Sequence, residues 1–491
     1  MRTGDEYKAA LQDGREIWLE GERVADVTTD PRLAGTVASI AALYDHQRDP
    51  ANAELLVSKA RDGRDVPTTF VEPANADELV RRTQAACSSL ERTGGTMGRG
   101  PDFMNVHMTA LASGADTFAR GGAQYGDRVR AYYDRMSAEG LCLTHVLANP
   151  QTDRSKQVHE VPQDTAARIV DERADGIVIR GARMIGTLAP FSDEVAVFPS
   201  TYLTMRDEAK AYAYAFAIPV ATPGLRFICR PALAPPLDVG VPADFPLSNR
   251  YDEMDAVAIF DDVLVPWERV FVNGDPVTAN GIFTETGASH HLSHYGCARL
   301  LTKCDFLLGV ALRIAKAIGI DGFDHVQAKI AELMTTGDLI RACLRASEAD
   351  CVPGPGGTVV PNPEPIWVVR MMTPTLYPRM VEILQLLGAS GFMSAPSAAE
   401  LGGPVAADVE RYYQGAAISS AERVELFRLA WELTCSGFAG RQVLYERFGG
   451  GDPWRLALGR FRAHPRRDQA MALVAPFLSA ESAAAVEGAG V

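Results

Sequence analysis

No nucleotide-binding signature is written in this sequence. It has no GxxxxGKS/T loop, no GxGxxG run that follows a strand and opens a helix, and no GxSxG elbow. Those absences speak against a P-loop enzyme, a Rossmann dinucleotide site and an α/β-hydrolase. The eight cysteines, Cys87, Cys142, Cys229, Cys297, Cys304, Cys343, Cys351 and Cys435, include no CxxC pair. Neither a zinc ribbon nor a disulfide scaffold is expected, and reduced thiols suit a cytoplasmic protein. The start, "MRTGDEYKAALQDGREIWLEGERV", mixes charges throughout and lacks the apolar centre of a signal peptide. The longest apolar region, "RLLTKCDFLLGVALRIAKAIGI", is broken by Arg299, Lys303, Asp305 and Arg313, so it reads as a buried helix and not a membrane span. Basic charge is also short. A net charge of −14 speaks against a nucleic acid or an anionic membrane as partner.

What is present is a long chain with three textures. At 491 residues it exceeds one ordinary hydrophobic core. From about residue 30 to residue 140 the pattern is helical, as in "DPRLAGTVASIAALYDHQ" and "NADELVRRTQAACSSLER", with apolar residues three and four apart behind an Asp or Asn cap. After Gly140 come "GIVIRGARMIGT", "EVAVFPSTYL", "YAYAFAIPVA", "GLRFICRPAL" and "AVAIFDDVLVP", short runs rich in β-branched and aromatic residues. Strands without intervening helices predict an antiparallel barrel or sandwich. From about residue 290 helices return over Leu292 to Ala349, Tyr377 to Ser390 and Ile418 to Phe448, interrupted by "VPGPGGTVVPNPEP".

Candidate chemistry gathers at a few positions. "GGTMGRGPDFMNVHM" offers Arg99 on a loop stiffened by Pro101, with Asp102 expected to cap the helix that follows. Arg99 is either a solvated loop charge or a clamp for an anionic oxygen. His145, in "CLTHVLANPQTDRSK", lies where the helical region meets the first strands and is either a structural histidine or a catalyst in a boundary pocket. "SHHLSHYGC" holds His290, His291 and His294. The HxxxH spacing can set two imidazoles on one helix face, but no glutamate lies between them and no third ligand follows, so a metal site is not expected.

Seven segments in register carry a resemblance: "MRTGDEYKAALQDGREIWLEGERV", "GRGPDFMN", "THVLANPQTDRSK", "GARMIGTLAP", "PLSNRYDEMDAVAIFDDVLVPWERVF", "LGASGFM" and "FAGRQVLYERFGGGDP". Together the chain resembles the oxygenase component of the 4-hydroxyphenylacetate 3-monooxygenase family, which includes halophenol hydroxylases and the pyoverdine-chromophore oxygenase. The resemblance implies an α+β, acyl-CoA-dehydrogenase-like fold: an N-terminal helical domain (1–140), a central antiparallel β-barrel (141–280), and a C-terminal four-helix bundle and tail (281–491), as a homotetramer. It implies reduced FAD delivered by a separate reductase, with O₂ as co-substrate. Oxygen would pass from a flavin C4a-hydroperoxide to a ring carbon ortho or para to a phenol hydroxyl.

The same resemblance assigns residues. Arg99 and His145 would face the phenol oxygen, and His290, with His291 competing, would deprotonate it. Phe103 and Ser200 would complete the substrate site. His145, Asn149, Gln151, Thr187, Gly440, Arg441 and Gln442 would hold the flavin, some from a neighbouring subunit, with Ser390 and Gly391 as weaker candidates. One departure stands out: the family loop reads Arg-x-Pro-Asp-Tyr, and here the tyrosine is Phe103. The missing hydroxyl suggests another phenol, tyrosine-derived or tethered to a carrier protein or CoA. An acyl-CoA dehydrogenase or dehydratase on the same scaffold is the alternative. Its iron–sulfur relatives need cysteines that this loop lacks, which leaves Cys297 as a small buried residue.

Overall fold

The computed structural model describes residues 1–162, 164–199 and 204–478. Its centre is a pair of stacked sheets built from β1 (Glu16–Leu19), β2 (Glu22–Arg23), β3 (Leu143–Val146), β4 (Arg168–Arg173), β5 (Gly176–Arg183), β6 (Glu194–Val197), β7 (Tyr214–Pro219), β8 (Leu225–Cys229), β9 (Ala256–Pro266) and β10 (Val270–Asn273). The larger sheet runs β2-β1-β8-β9-β5-β4 and the smaller β10-β7-β6-β3. Ile17, Ile179, Phe227 and Phe260 of the larger sheet share one core with Val195, Val197 and Phe216 of the smaller. Because side chains alternate along a strand, Ala196, Ala215 and Ala217 of the smaller sheet point the other way, into a second core lined by helices.

Between these strands pairing is antiparallel except at two places, where the expectation of an antiparallel unit needs correction. β1 lies parallel to β8, and β3 lies parallel to β6. Parallel neighbours need long crossovers. The N-terminal segment supplies one by entering the sheet from outside residues 141–280, and the excursion through β4 and β5 supplies the other.

The helices that matter for the site are α1 (Ala76–Glu91), α2 (Pro101–Ser113), α3 (Ala123–Glu139), α4 (Ala288–Ala317), α5 (Asp324–Ala349), α6 (Pro363–Gly388), α7 (Ser420–Thr434) and α8 (Gly437–Phe448). Every residue of α2 is buried, as befits a helix packed on several sides by α3, α4 and β3. α4, α5, α6 and α7 pack against one another as a bundle. The span expected as one helix over Leu292 to Ala349 is two, broken beside Gly319, whose φ of +71° suits glycine. Ile418 to Phe448 is also split, and Ser436 caps its second half by accepting from Ala439 N at 3.2 Å. α6 starts well before Tyr377 and runs through Pro374 and Pro378. Asp102 is not the cap of α2. Gly100 holds that position, and Asp102 is buried, accepting from Gln47 Nε2 at 3.1 Å and Thr69 Oγ1 at 3.0 Å.

The buried Glu194 carboxylate joins the layers, accepting from Tyr132 Oη at 2.7 Å, Arg135 Nη2 at 2.7 Å and Arg269 Nη1 at 3.0 Å. Glu194→Ala is expected to cost about 2–3 kcal/mol, below a fully buried pair because both arginines keep some solvent. Urea unfolding of the variant checks this, and an unchanged midpoint would mean that the node contributes nothing.

Candidate active site

The loop before α2 is fixed from three directions. Gly95 has φ +66°, and a Cβ there would fall 2.7 Å from both Arg299 O and Lys303 N, so the chain passes against α4 only as glycine. Arg299 Nη1 donates to Gly95 O at 3.2 Å, and Gln442 Nε2 to Thr96 O at 2.9 Å. Arg99 N donates to Glu253 Oε1 at 2.5 Å. The Arg99 side chain is thereby set over the start of α2. Its Nη1 donates to the Tyr445 hydroxyl at 2.6 Å, and the guanidinium lies 4.1 Å from the Phe103 ring centre, a cation–π contact.

Beyond Arg99 the rings form a buried aromatic cluster. On β3, Leu143 faces the helical core while Val146 faces the other sheet. His145 shares the side of Leu143, which turns it toward α2. Its ring centre lies 5.5 Å from that of Phe103 and 5.7 Å from that of His107. Phe198 and Phe283 stand 5.0 Å and 5.4 Å from His107, and Tyr295 of α4 stands 5.7 Å from Phe103. Both ring nitrogens of His107 and Nδ1 of His145 are buried without a partner among the described residues. Each such nitrogen costs roughly 1–3 kcal/mol unless a ligand satisfies it. Burial, then the charge of Arg99, pushes His107 down to about 3 and holds His145 well below the usual imidazole range, with His107 adding to the latter. Both are neutral at pH 7.

Thr187 and Arg441 meet at one carboxylate. Thr187 Oγ1 donates to Asp255 Oδ1 at 2.7 Å, while Arg441 Nε and Nη2 take both Asp255 oxygens at 2.6 and 2.9 Å and its Nη1 takes Glu253 Oε2 at 3.0 Å. Burial opposes the charge on Asp255, but Arg441, helped by Thr187 and Arg230, keeps it well below the usual carboxylate range. Thr187 also neighbours His145, because its carbonyl accepts from Thr144 Oγ1 on β3. Gln442 is buried and committed, accepting from Lys303 Nζ at 2.6 Å as well as donating to the loop. Arg441 and Gln442 are therefore tied into the framework in this chain, and Gly440 presents the open surface beside them. Asn149 Oδ1 accepts from the fully buried Arg183. Gln151 is exposed. Ser390 and Gly391 begin a short helix against Phe427 of α7 and Tyr413. Ser200 lies outside the described residues.

Arg99, Phe103 and His145 come together, and no ring contact or hydrogen bond among the described residues joins His290 to them. It is five residues, about 140° around a 3.6-residue helix, from Tyr295 on α4, and the charge acting on it is Arg370. His291 Nδ1 instead meets Arg82 Nη2 at 2.6 Å, and His294 Nε2 lies 3.2 Å from Glu348 Oε1. An arginine can only donate, so His291 Nδ1 is an acceptor and is not free to take a proton. Cys297 is buried, its thiol pushed up to about 12 by burial. Among the described residues no group of three His, Cys, Asp or Glu side chains could hold a metal. Sequence reasoning missed His107: it lies one turn after Phe103 on the same helix face, but nothing in the sequence says that this face meets His145 and the phenylalanine rings.

Two family models match the chain: 4-hydroxyphenylacetate 3-hydroxylase N terminal over residues 3–272, and its C terminal over residues 279–479. The chain belongs to the 4-hydroxyphenylacetate 3-hydroxylase family. It is 42% identical to a 4-hydroxyphenylacetate 3-monooxygenase oxygenase component of Thermus thermophilus, over 93% of each chain. It is 32% identical to a Streptomyces globisporus monooxygenase of a peptidyl-carrier-bound 3-amino-3-(3-chloro-4-hydroxyphenyl)propanoyl group, over 91% of this chain and 84% of that one. A solved oxygenase component of 4-hydroxyphenylacetate 3-monooxygenase, complexed with FAD and 4-hydroxyphenylacetate, superposes with a TM-score of 0.91 at 40% identity, covering 96% of this chain and 98% of that one. The fold is thus that of the solved oxygenase components of this hydroxylase family.

Neutral buried imidazoles have a pH signature. The unfolded chain gains protons on them below pH 6.5, and the folded chain refuses His107 its proton until about pH 3. Stability is full above pH 6.5 and falls as the pH drops through that window, by about 1.4 kcal/mol per pH unit for each such group. Replacing His107 with Phe is expected to remove one group's share of that slope in urea unfolding between about pH 6 and about pH 4. Identical slopes would mean that His107 titrates normally in the folded chain.

Proposed function

We propose that the chain hydroxylates a phenol other than 4-hydroxyphenylacetate, a tyrosine-derived or carrier-tethered one of secondary metabolism. Its class follows from the family: a flavin-dependent aromatic hydroxylase, the oxygenase component of a two-component monooxygenase that uses reduced FAD and O₂. A separate reductase supplies the reduced flavin. The observation that carries the reading is the buried aromatic cluster, where the Arg99 guanidinium and three unpartnered imidazole nitrogens converge. Aromatic walls with a few convergent polar groups suit a flat ring with one polar oxygen.

The residues suit a flavin beside that ring. Thr187 is joined to β3 next to His145, and the half-buried Asn149 and exposed Gln151 follow on the same segment. They would hold one edge of the cofactor, with Gly440 leaving room for close approach and Arg441 acting through Asp255 to keep Thr187 in place. When bound, reduced FAD supplies, with O₂, the electrophilic oxygen. Arg99 and His145 hold negative charge on the phenol oxygen, which enriches the ortho and para carbons. His145, neutral and with Nδ1 unpartnered, hydrogen-bonds the phenol oxygen. Phe103, Phe198 and Phe283 exclude water from the reacting atoms. His290 stands apart from this set.

Phe103 cannot make the hydrogen bond of a tyrosine, which argues against 4-hydroxyphenylacetate. The Streptomyces relative's carrier-bound phenol supports a tethered substrate here. Association of copies belongs to the same reading. Trp454, Phe461 and Phe477 are 71, 65 and 86% exposed along the C-terminal segment, apolar surface that a second copy would cover. No helix among the described residues is long and apolar enough to cross a membrane.

The test supplies reduced FAD from a generic flavin reductase, O₂, and a panel of free and carrier-bound tyrosine derivatives and halophenols. A hydroxylated phenol is expected from at least one member, and its absence across the panel would sink the reading. Arg99→Ala is expected to lower product formation by about 100-fold, the loss typical of one charge-stabilising donor, while oxygen consumption continues as peroxide release. Product yield retained per oxygen consumed would remove Arg99 from the site.

A further inference from the structure

His107 has no use in the chemistry above, and its surroundings give it none as a structural histidine. It lies one turn beyond Phe103 on the same face of α2, fully buried. Three phenylalanine rings flank it, Phe103, Phe198 and Phe283, with centres at 6.5, 5.0 and 5.4 Å, and none can accept a strong hydrogen bond. Histidines that serve packing normally tether one nitrogen to a carbonyl or carboxylate. Neither nitrogen of His107 has such a tether among the described residues.

The polar side chain beside it is His145, with ring centres 5.7 Å apart, planes at 89°, and its own Nδ1 unpartnered. An oxygen hydrogen-bonded to a ring nitrogen lies roughly 4 Å from the ring centre. Two centres 5.7 Å apart can therefore share one oxygen, each approaching at about a right angle to the other. Phe103, meanwhile, offers no hydroxyl at the first turn of this face.

We propose that His107 binds the substrate's phenolic oxygen jointly with His145, supplying from one turn deeper the hydrogen bond that Phe103 cannot make. This rests on the phenol reading of the site. His107 donates N–H to the phenol oxygen in its neutral form, and Arg99 provides the charge that both imidazoles feel. The substrate ring is thereby drawn further along α2 than a residue-103 hydroxyl would hold it. The helix face of residues 103 and 107 becomes a specificity determinant.

The experiment measures binding of 4-nitrophenolate to the purified full-length protein without flavin, by its visible absorbance, with thermal unfolding as the check on folding. His107→Phe is expected to weaken binding roughly 10- to 100-fold, the range for one hydrogen bond to a charged group. His107→Asn, which keeps a donor, is expected to retain most of the affinity. Adding Phe103→Tyr to His107→Phe is expected to restore about tenfold, because the hydroxyl returns one turn away. The proposal is overturned if folded His107→Phe binds like the parent, if His107→Asn loses as much as His107→Phe, or if the added tyrosine restores nothing. Should the parent itself fail to bind 4-nitrophenolate or any phenol of the panel, the phenol reading fails, and this inference with it. A parent that binds while His107→Phe matches it overturns this inference alone.

Discussion

The Glu446 carboxylate is the interaction on which the site depends. It is buried between α8 and α4, taking Arg299 through two bonds of 2.6 and 2.7 Å and Lys303 Nζ at 2.5 Å. Burial opposes its charge, yet the two cations hold it down to about 2. Two positive groups on one carboxylate would be a poor exchange for apolar packing taken alone. What they gain is position: Arg299 and the Lys303-bound Gln442 each hold a carbonyl of the loop before α2. A buried charged cluster thereby sets the register of Arg99.

A second carboxylate pair completes the frame from the side of the sheets. Glu253 takes Arg99 N and Arg441, and Asp255 takes Arg441 and Thr187. The loop, the strand region that carries Thr187, and the C-terminal helices are cross-linked through arginines whose planar forks bind carboxylates two bonds at a time. Polar groups in the frame are largely satisfied, whereas those in the aromatic cluster are not. That contrast separates scaffold from binding surface. The frame spends its hydrogen bonds on itself, and the aromatic cluster keeps its own for a ligand.

Much of this was legible in the sequence. The order of helices, strands and helices follows from hydrophobic period, and the absent nucleotide motifs agree with a flavin bound without a Rossmann unit. The two parallel pairs were not legible, because β1 looks like any short alternating run and nothing local says that it pairs with β8. The prolines in α6 hid half of a helix whose packing overrides the local penalty. Asp102 has the spacing of a cap and is instead a buried acceptor for Gln47 and Thr69, a role set by residues distant in sequence. Arg99 and His145 could be singled out by residue type, but His107 could not. Its significance comes from three phenylalanines and a second histidine that meet only after folding. His290 shows the converse, since a suggestive sequence neighbourhood does not decide which way a helix face turns.

The parallel pairing of β1 with β8 has a consequence for how the chain is made. Glu16 pairs with Arg226, so this edge of the sheet waits until more than two hundred residues have followed it out of the ribosome. At synthesis rates of about 5–20 residues per second, that is roughly ten to forty seconds. During that interval Ile17 and Leu19, which end almost wholly buried, have only the two-residue β2 beside them. Slow, non-local pairing of this kind leaves a nascent chain open to capture by other chains. The segment is flanked by charges, Asp13, Arg15, Glu16, Glu20, Glu22 and Arg23, the kind of gatekeeper residues that oppose such capture.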